Sequence, residues 1–209
     1  MRAILNSPRT GAILVLVLTF IGGSSLADDA KTESGSDQMM AAMAEAAKPG
    51  PEHAKLNSLA GTWTYVCKMW MDPSKPPMES KGTIERKWVL GGRFLKEKYE
   101  GTGFDGKPGF EGMGLIGYDN GRKKYTSIWA CSMDTGICTG LGVADASGKK
   151  FTFHTKLYCP MEKKVVKGRE ELRLESDNKV VMESYMLDDE GKETKTMQIV
   201  AVRKNGDTE

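Results

Sequence analysis

Four cysteines, two histidines and a scatter of carboxylates in β-rich segments are the material from which this chain could build chemistry. Cys131 and Cys138 flank a Met-Asp-Thr-Gly turn in the stretch WACSMDTGICT, a spacing open to a metal clip, a redox pair or a structural staple. The chain has no Cys-x-x-Cys, and no second ligand pair lies beside these two, so redox chemistry and metal binding are disfavoured. A four-residue loop over Met133–Gly136, with Gly136 left-handed, would set Ser132 opposite Ile137 and Cys131 opposite Cys138. Opposed residues bring their Cα atoms to roughly 4.5–5.5 Å, inside the disulfide range. A Cys131–Cys138 staple is therefore expected, with Cys67–Cys159 across the interior as a second bond.

The other reactive groups point away from catalysis. His53 precedes the β-rich region and reads as a helix-end hydrogen-bonding residue; His154 alternates with Thr152 and Lys156 on an outer strand face, a poor position for an axial haem ligand. Neither belongs to an HExxH spacing, so no metal and no cofactor is expected. There is no Gly-x-Ser-x-Gly elbow. The glycines at 112, 114 and 117 run into a turn and another strand rather than into a helix, so they read as easing a curved strand, not as a phosphate loop. Glu97, Glu111 and Glu183 could form an acid/base pair only if two of them met; a lumenal one is expected to pair with Arg86, Arg93 or Arg169. Thirteen methionines, with Met39, Met40 and Met43 on one leading helix, read as an apolar helix face and core filling rather than copper handling.

Positioning these residues falls to many short elements. From Gly61 onward the sequence offers ten segments rich in valine, threonine, isoleucine and aromatics, separated by glycine, proline and Asp-Gly or Asn-Gly turns. That pattern predicts an all-β antiparallel meander of about ten strands, which closes so that no edge stays exposed. One or two short helices precede it: QMMAAMAEAAK, stopped by Pro49-Gly50-Pro51, and a turn over Pro51–Leu59. In GRFLKEKYEG, alternation sets Arg93, Leu95, Glu97 and Tyr99 on one face; in KKYTSIWACS it groups Tyr125, Ser127, Trp129 and Cys131. Two interiors fit this mixture equally, a partly polar lumen and a collapsed core with locally satisfied polar groups.

Residues 1–27 place Arg2 and Arg9 ahead of a ten-residue apolar run and a Ser-Leu-Ala end, the layout of a secretory leader cut after Ala27. The run is too short for a spanning helix, which needs about 20 residues. The expected organisation is a leader over 1–27, a flexible tether and short helix over 28–48, and a barrel domain over 49–205, exported to the periplasm or medium. Without the leader, 28 basic residues face 28 acidic ones, which argues against a nucleic-acid partner.

The segments PGPEHAKLNSLAGTW, MWMDPSKPPMESKGT, LGGRFLKEKYEG, FEGMGLIGYDN, KKYTSIW and MDTG, followed by MLDDEGKETKTMQIVAVRK, resemble in order the bacterial family known as domain of unknown function 1579. The resemblance runs from about Pro49 to Lys204. It implies a calycin-like barrel, akin to lipocalins and fatty-acid-binding proteins, often exported and with no established reaction. Within that superfamily the Gly61-Thr62-Trp63 opening and Arg203 of the closing strand play a structural role, the indole plugging the barrel floor and the guanidinium lying across it. Relatives commonly carry Ile-Asp where this chain has Ala130-Cys131, so any family role for that acid is absent or has moved.

The functional expectation is non-enzymatic binding of a small hydrophobic or amphipathic ligand by lumen-facing Tyr65, Arg93, Glu97, Tyr99, Tyr118 and Trp129. Two alternatives stand beside it: an isomerase, cyclase or hydratase acting on a lumen-bound substrate, and an envelope-structural or interaction module with a packed barrel.

Overall fold

A computed structural model describes residues 29–104 and 109–204; the expected leader over 1–27 lies outside the described residues. Helix α1 spans Asp29–Ala46, taking in most of the polar stretch expected as a tether. Once the alanine- and methionine-rich part is helical, each residue added at its N-terminus closes one more hydrogen bond without a new nucleus. Met39, Met40 and Met43 stand about 60% exposed rather than packed. Helix α2 (Pro51–Ala54) and a 3-10 turn (Lys55–Leu59) follow, as the proline at the start and the glycine after the end predict. His53 acts at this helix end, its Nδ1 accepting the Gly50 N–H at 3.1 Å.

Ten strands then run β1 (Gly61–Met69), β2 (Met78–Val89), β3 (Phe94–Gly101), β4 (Phe110–Asp119), β5 (Lys124–Cys131), β6 (Cys138–Ala144), β7 (Lys150–Cys159), β8 (Lys164–Ser176), β9 (Lys179–Leu187) and β10 (Glu193–Arg203). Each pairs antiparallel with its neighbours in sequence, and β10 pairs with β1, so the meander closes into a barrel as the strand count predicts. Closure leaves no unpaired ladder edge.

The two halves of the interior differ. At one end α2 and the 3-10 turn cap the bore with fully buried Leu56 and Leu59, over Trp63, Ile84, Leu95, Phe151, Leu172 and Val180. Here Trp63 donates its indole N–H to the Leu59 carbonyl at 3.0 Å. The Arg203 guanidinium lies 4.1 Å from the Trp63 ring and donates to the carbonyls of Ala60 (2.7 Å), Ser58 (2.9 Å) and Asp177 (3.0 Å). Gly61, at φ 114°, is required: a Cβ there would sit 2.5 Å from Arg203 Nη1. At the opposite end no helix caps the bore among the described residues; Phe104, after β3, and Phe110 of β4 pack against the core there, and the inward polar groups Arg86, Glu97 and Thr155 lie between the strands.

Candidate functional site: the polar cross-bar of the lumen

Glu97 and Tyr99 project inward from β3, Tyr65 from β1 and Trp129 from β5, all toward the unplugged half. Their rings pack in series, Tyr65 to Tyr99 at 5.6 Å and Tyr99 to Trp129 at 4.8 Å. The other two expected lining residues lie elsewhere. Tyr118 belongs to the plug, 5.9 Å from His53 and 5.0 Å from Tyr125. Arg93 sits before β3 begins, and its Nη1 donates to the Leu90 carbonyl at 3.0 Å. Its inward assignment assumed that strand alternation reached back to Gly92; the chain instead turns through Leu90, Gly91 and Gly92, all at positive φ.

The group that organises the half-lumen is Arg86 of β2, only 2% exposed. Its Nε donates to Glu97 Oε1 at 2.6 Å and its Nη2 to the Tyr99 hydroxyl at 3.2 Å. A carboxylate fits beside it because residue 114 is glycine: a Cβ there would stand 3.0 Å from Glu97 Oε2. Among the described residues two buried polar atoms have no hydrogen-bond partner, Arg86 Nη1 and Tyr65 Oη. Ser80, the polar neighbour of the Tyr65 phenol, directs its own hydroxyl to the Thr102 carbonyl at 2.6 Å.

From β8, on the opposite wall of the ten-strand ring, Glu170 reaches toward this pair. Register places it between Gly168 and Leu172 on the inward face, opposite Ser184. Partial burial, reinforced by the negative charge of Glu97 and opposed by Arg86, pushes its carboxyl up to about 7. Burial likewise raises the phenols of Tyr99 and Tyr65. The arrangement is thus a cross-bar spanning the bore: a compensated ion pair on one wall, a carboxyl poised near neutrality on the other, and one guanidinium nitrogen, Nη1, without an acceptor. Glu170 was legible in KGREELRLE, where it shares a face with Leu172 and Leu174.

Glu183 and Glu111 face outward instead. Glu183 is covered by Lys195, Arg173 (2.9 Å) and Gln198 (3.0 Å), the first two being ion pairs, and the Lys195 hydrogen bond leads in holding its carboxyl down to about 2. It is a surface clasp of β8–β10, not a partner for Glu97.

Comparison with known proteins sets this geometry in a lineage. The model of the family described as "Protein of unknown function (DUF1579)" matches residues 48–203. The chain belongs to that family. Among solved structures, Rv2717c from M. tuberculosis is similar at TM-score 0.57 and 16% identity, covering 76% of this chain and 100% of its own. That likeness shows the fold. A redesigned β-barrel, b11L5F_LGL, matches at TM-score 0.39 and 14% identity over 72% of this chain and 96% of its own. The redesigned barrel mFAP1, bound to DFHBI, matches at 0.39 and 15% over 71% of this chain and 98% of its own. No curated protein matches.

In this DUF1579 member the cysteine staple is corrected. All four cysteines are free, and β5 pairs with β6 at Trp129–Cys138, not Cys131–Cys138. Eight residues separate that pair, because the end of β5 follows β4: Ser132 N–H donates to the Glu111 carbonyl at 2.8 Å, drawing Cys131 away from β6. Asp134 then caps Gly136 N–H at 3.0 Å in a local Asx turn that needs no tight hairpin. The Cys67–Cys159 bond is absent for its own reason: Cys67 lies between Ser80 and Ile199, and Cys159 pairs at the β7–β8 rim. Burial pushes the Cys67 thiol up to about 12 and Cys138 up to about 11, so both resist oxidation as thiols. Non-reducing peptide mapping is expected to return four unlinked cysteines, with Cys67 the slowest to alkylate in the native protein; a Cys131–Cys138 cross-linked peptide would contradict the register.

The unplugged half is less tightly packed than the plugged one. Trp129, Glu170, Cys138, Met182, Ser184 and Met197 face inward by register yet are only partly buried. A depression of about 390 Å³ lies instead on the outer wall of β3–β5, bordered by Lys96, Lys98, Glu111, Met113, Ala130 and Ser132. A smaller hollow of about 160 Å³, between the 3-10 turn and the β6–β7 turn, holds none of the cross-bar groups.

Proposed function

We propose that this protein is exported and binds a small, partly apolar molecule in the unplugged half of its barrel, without transforming it. The observation that carries this reading is the pair of buried polar atoms without a hydrogen-bond partner among the described residues, Arg86 Nη1 and Tyr65 Oη, in the half of the barrel whose inward side chains are only partly buried. An unmet buried donor costs about 1–3 kcal/mol, a cost that a ligand oxygen would offset. Tyr65, Tyr99, Trp129, Met182 and Met197 supply the apolar walls, and this division into aromatic lining and a few polar groups is that of small-molecule sites. The leader-like residues 1–27 support export.

Mass spectrometry of protein purified under native conditions tests the reading. A retained small molecule is expected, released on denaturation and missing from a Ser184→Phe variant that fills the half-lumen. Native protein that carries nothing, and binds no member of an amphipathic ligand panel, would overturn it. Enzymatic action has one observation in its favour, a carboxyl near neutrality at Glu170, suited to proton transfer. Recovery of a retained molecule chemically unaltered after prolonged incubation separates binding from turnover.

A further inference from the structure

Resting on the lumen-binding reading, the polar cross-bar goes further and specifies the ligand's polar end. The two walls offer unequal chemistry. On one, the Arg86 charge is already matched by Glu97 at 2.6 Å, yet Nη1 retains an N–H with no acceptor. On the other, Glu170 makes no hydrogen bond among the described residues and faces Arg86, Glu97, Tyr99 and, from β6, Cys138. An anionic ligand would set a second negative charge beside Glu97, and a third wherever Glu170 is ionised. A cationic one would meet the like charge of the Arg86 guanidinium on that wall. An uncharged acceptor meets neither obstacle.

We propose that the site takes a ligand ending in a carbonyl oxygen, which accepts hydrogen bonds from Arg86 Nη1 on one wall and from the acid form of Glu170 on the other. Ligand and proton are then held together: the ligand selects protonated Glu170, and deprotonation expels it. The carboxyl of Glu170, raised by burial and by Glu97, makes that proton available near neutral pH. No bond is made or broken; the proton comes from solvent and stays on Glu170.

Calorimetry with 2-decanone and decylamine between pH 5 and pH 9 tests this. For 2-decanone the dissociation constant is expected to be flat below the Glu170 pKa and to rise roughly tenfold per pH unit above it. In two buffers of different ionisation enthalpy, binding at pH 8 is expected to take up close to one proton. Glu170→Gln, which keeps a donor but cannot ionise, should flatten that profile. Binding of 2-decanone without proton uptake, or preference for decylamine with affinity rising with pH, would overturn the carbonyl assignment and leave lumen binding standing. Failure of both probes to bind would count against lumen binding itself, and this assignment with it.

Discussion

Glutamine in place of Glu170 is expected to make the protein more stable above pH 7 by up to about 3 kcal/mol, and to leave its stability near pH 4 unchanged. The carboxyl titrates at about 7 in the folded protein against an ordinary 4.5. A pKa raised on folding means that the folded state holds the proton more tightly than the unfolded chain. Between about pH 4.5 and 7 the unfolded state sheds its proton first, so native stability falls as pH rises through that window; at about 1.4 kcal/mol per unit the loss reaches roughly 3 kcal/mol. An uncharged isostere removes it. Urea denaturation of both proteins at pH 4 and pH 8 reads the difference. Equal stabilisation at both pH values, or destabilisation at pH 8, would show that Glu170 is not the strained carboxyl of the lumen. A residue that weakens the fold at neutral pH is a sign of function held against stability.

The second large effect concerns the other wall. Arg86→Met is expected to destabilise by about 3–5 kcal/mol, since it strands Glu97 in the interior without its counter-charge. The double variant Arg86→Met/Glu97→Met should recover most of that loss, because two apolar side chains of similar volume leave no buried charge. Chemical denaturation midpoints of the single and double variants give the comparison. A single variant within about 1 kcal/mol of the parent would mean that the pair is hydrated and not part of a buried cross-bar.

Much of this fold could be read from local pattern. The ten strands follow from alternation and turn chemistry; β4 and β9 begin and end where FEGMGLIGYD and KVVMESYML do. Gly61, Trp63 and Arg203 meet at the floor as the resemblance implied. What escaped depended on three-dimensional register. Arg93 misled because its side chain serves a turn at positive φ that continues the apparent alternation. Tyr118 has lumenal parity, but the plug end of the barrel claims it. Cys131 and Cys138 miss each other because Ser132 bonds to β4, a contact that no window around Met133–Gly136 contains. Glu170 met Arg86 and Glu97 only once closure brought β8 across from β2 and β3; strand parity alone showed its face, not its partners.

The four tryptophans make the decisive measurement site-specific. Trp129 lines the half-lumen beside Tyr99, while Trp63 is locked to Leu59, Trp88 to Asn57 at 2.9 Å, and Trp70 lies under Lys195 outside the bore. In proton–nitrogen correlation spectra at pH 6, adding 2-decanone is expected to shift the Trp129 indole and the Arg86 Nε–H resonances while those of Trp63, Trp70 and Trp88 hold still. Shifts confined to Trp70 or Trp88, or a silent Trp129 at saturating ligand, would place binding outside the lumen and contradict the cross-bar as its site.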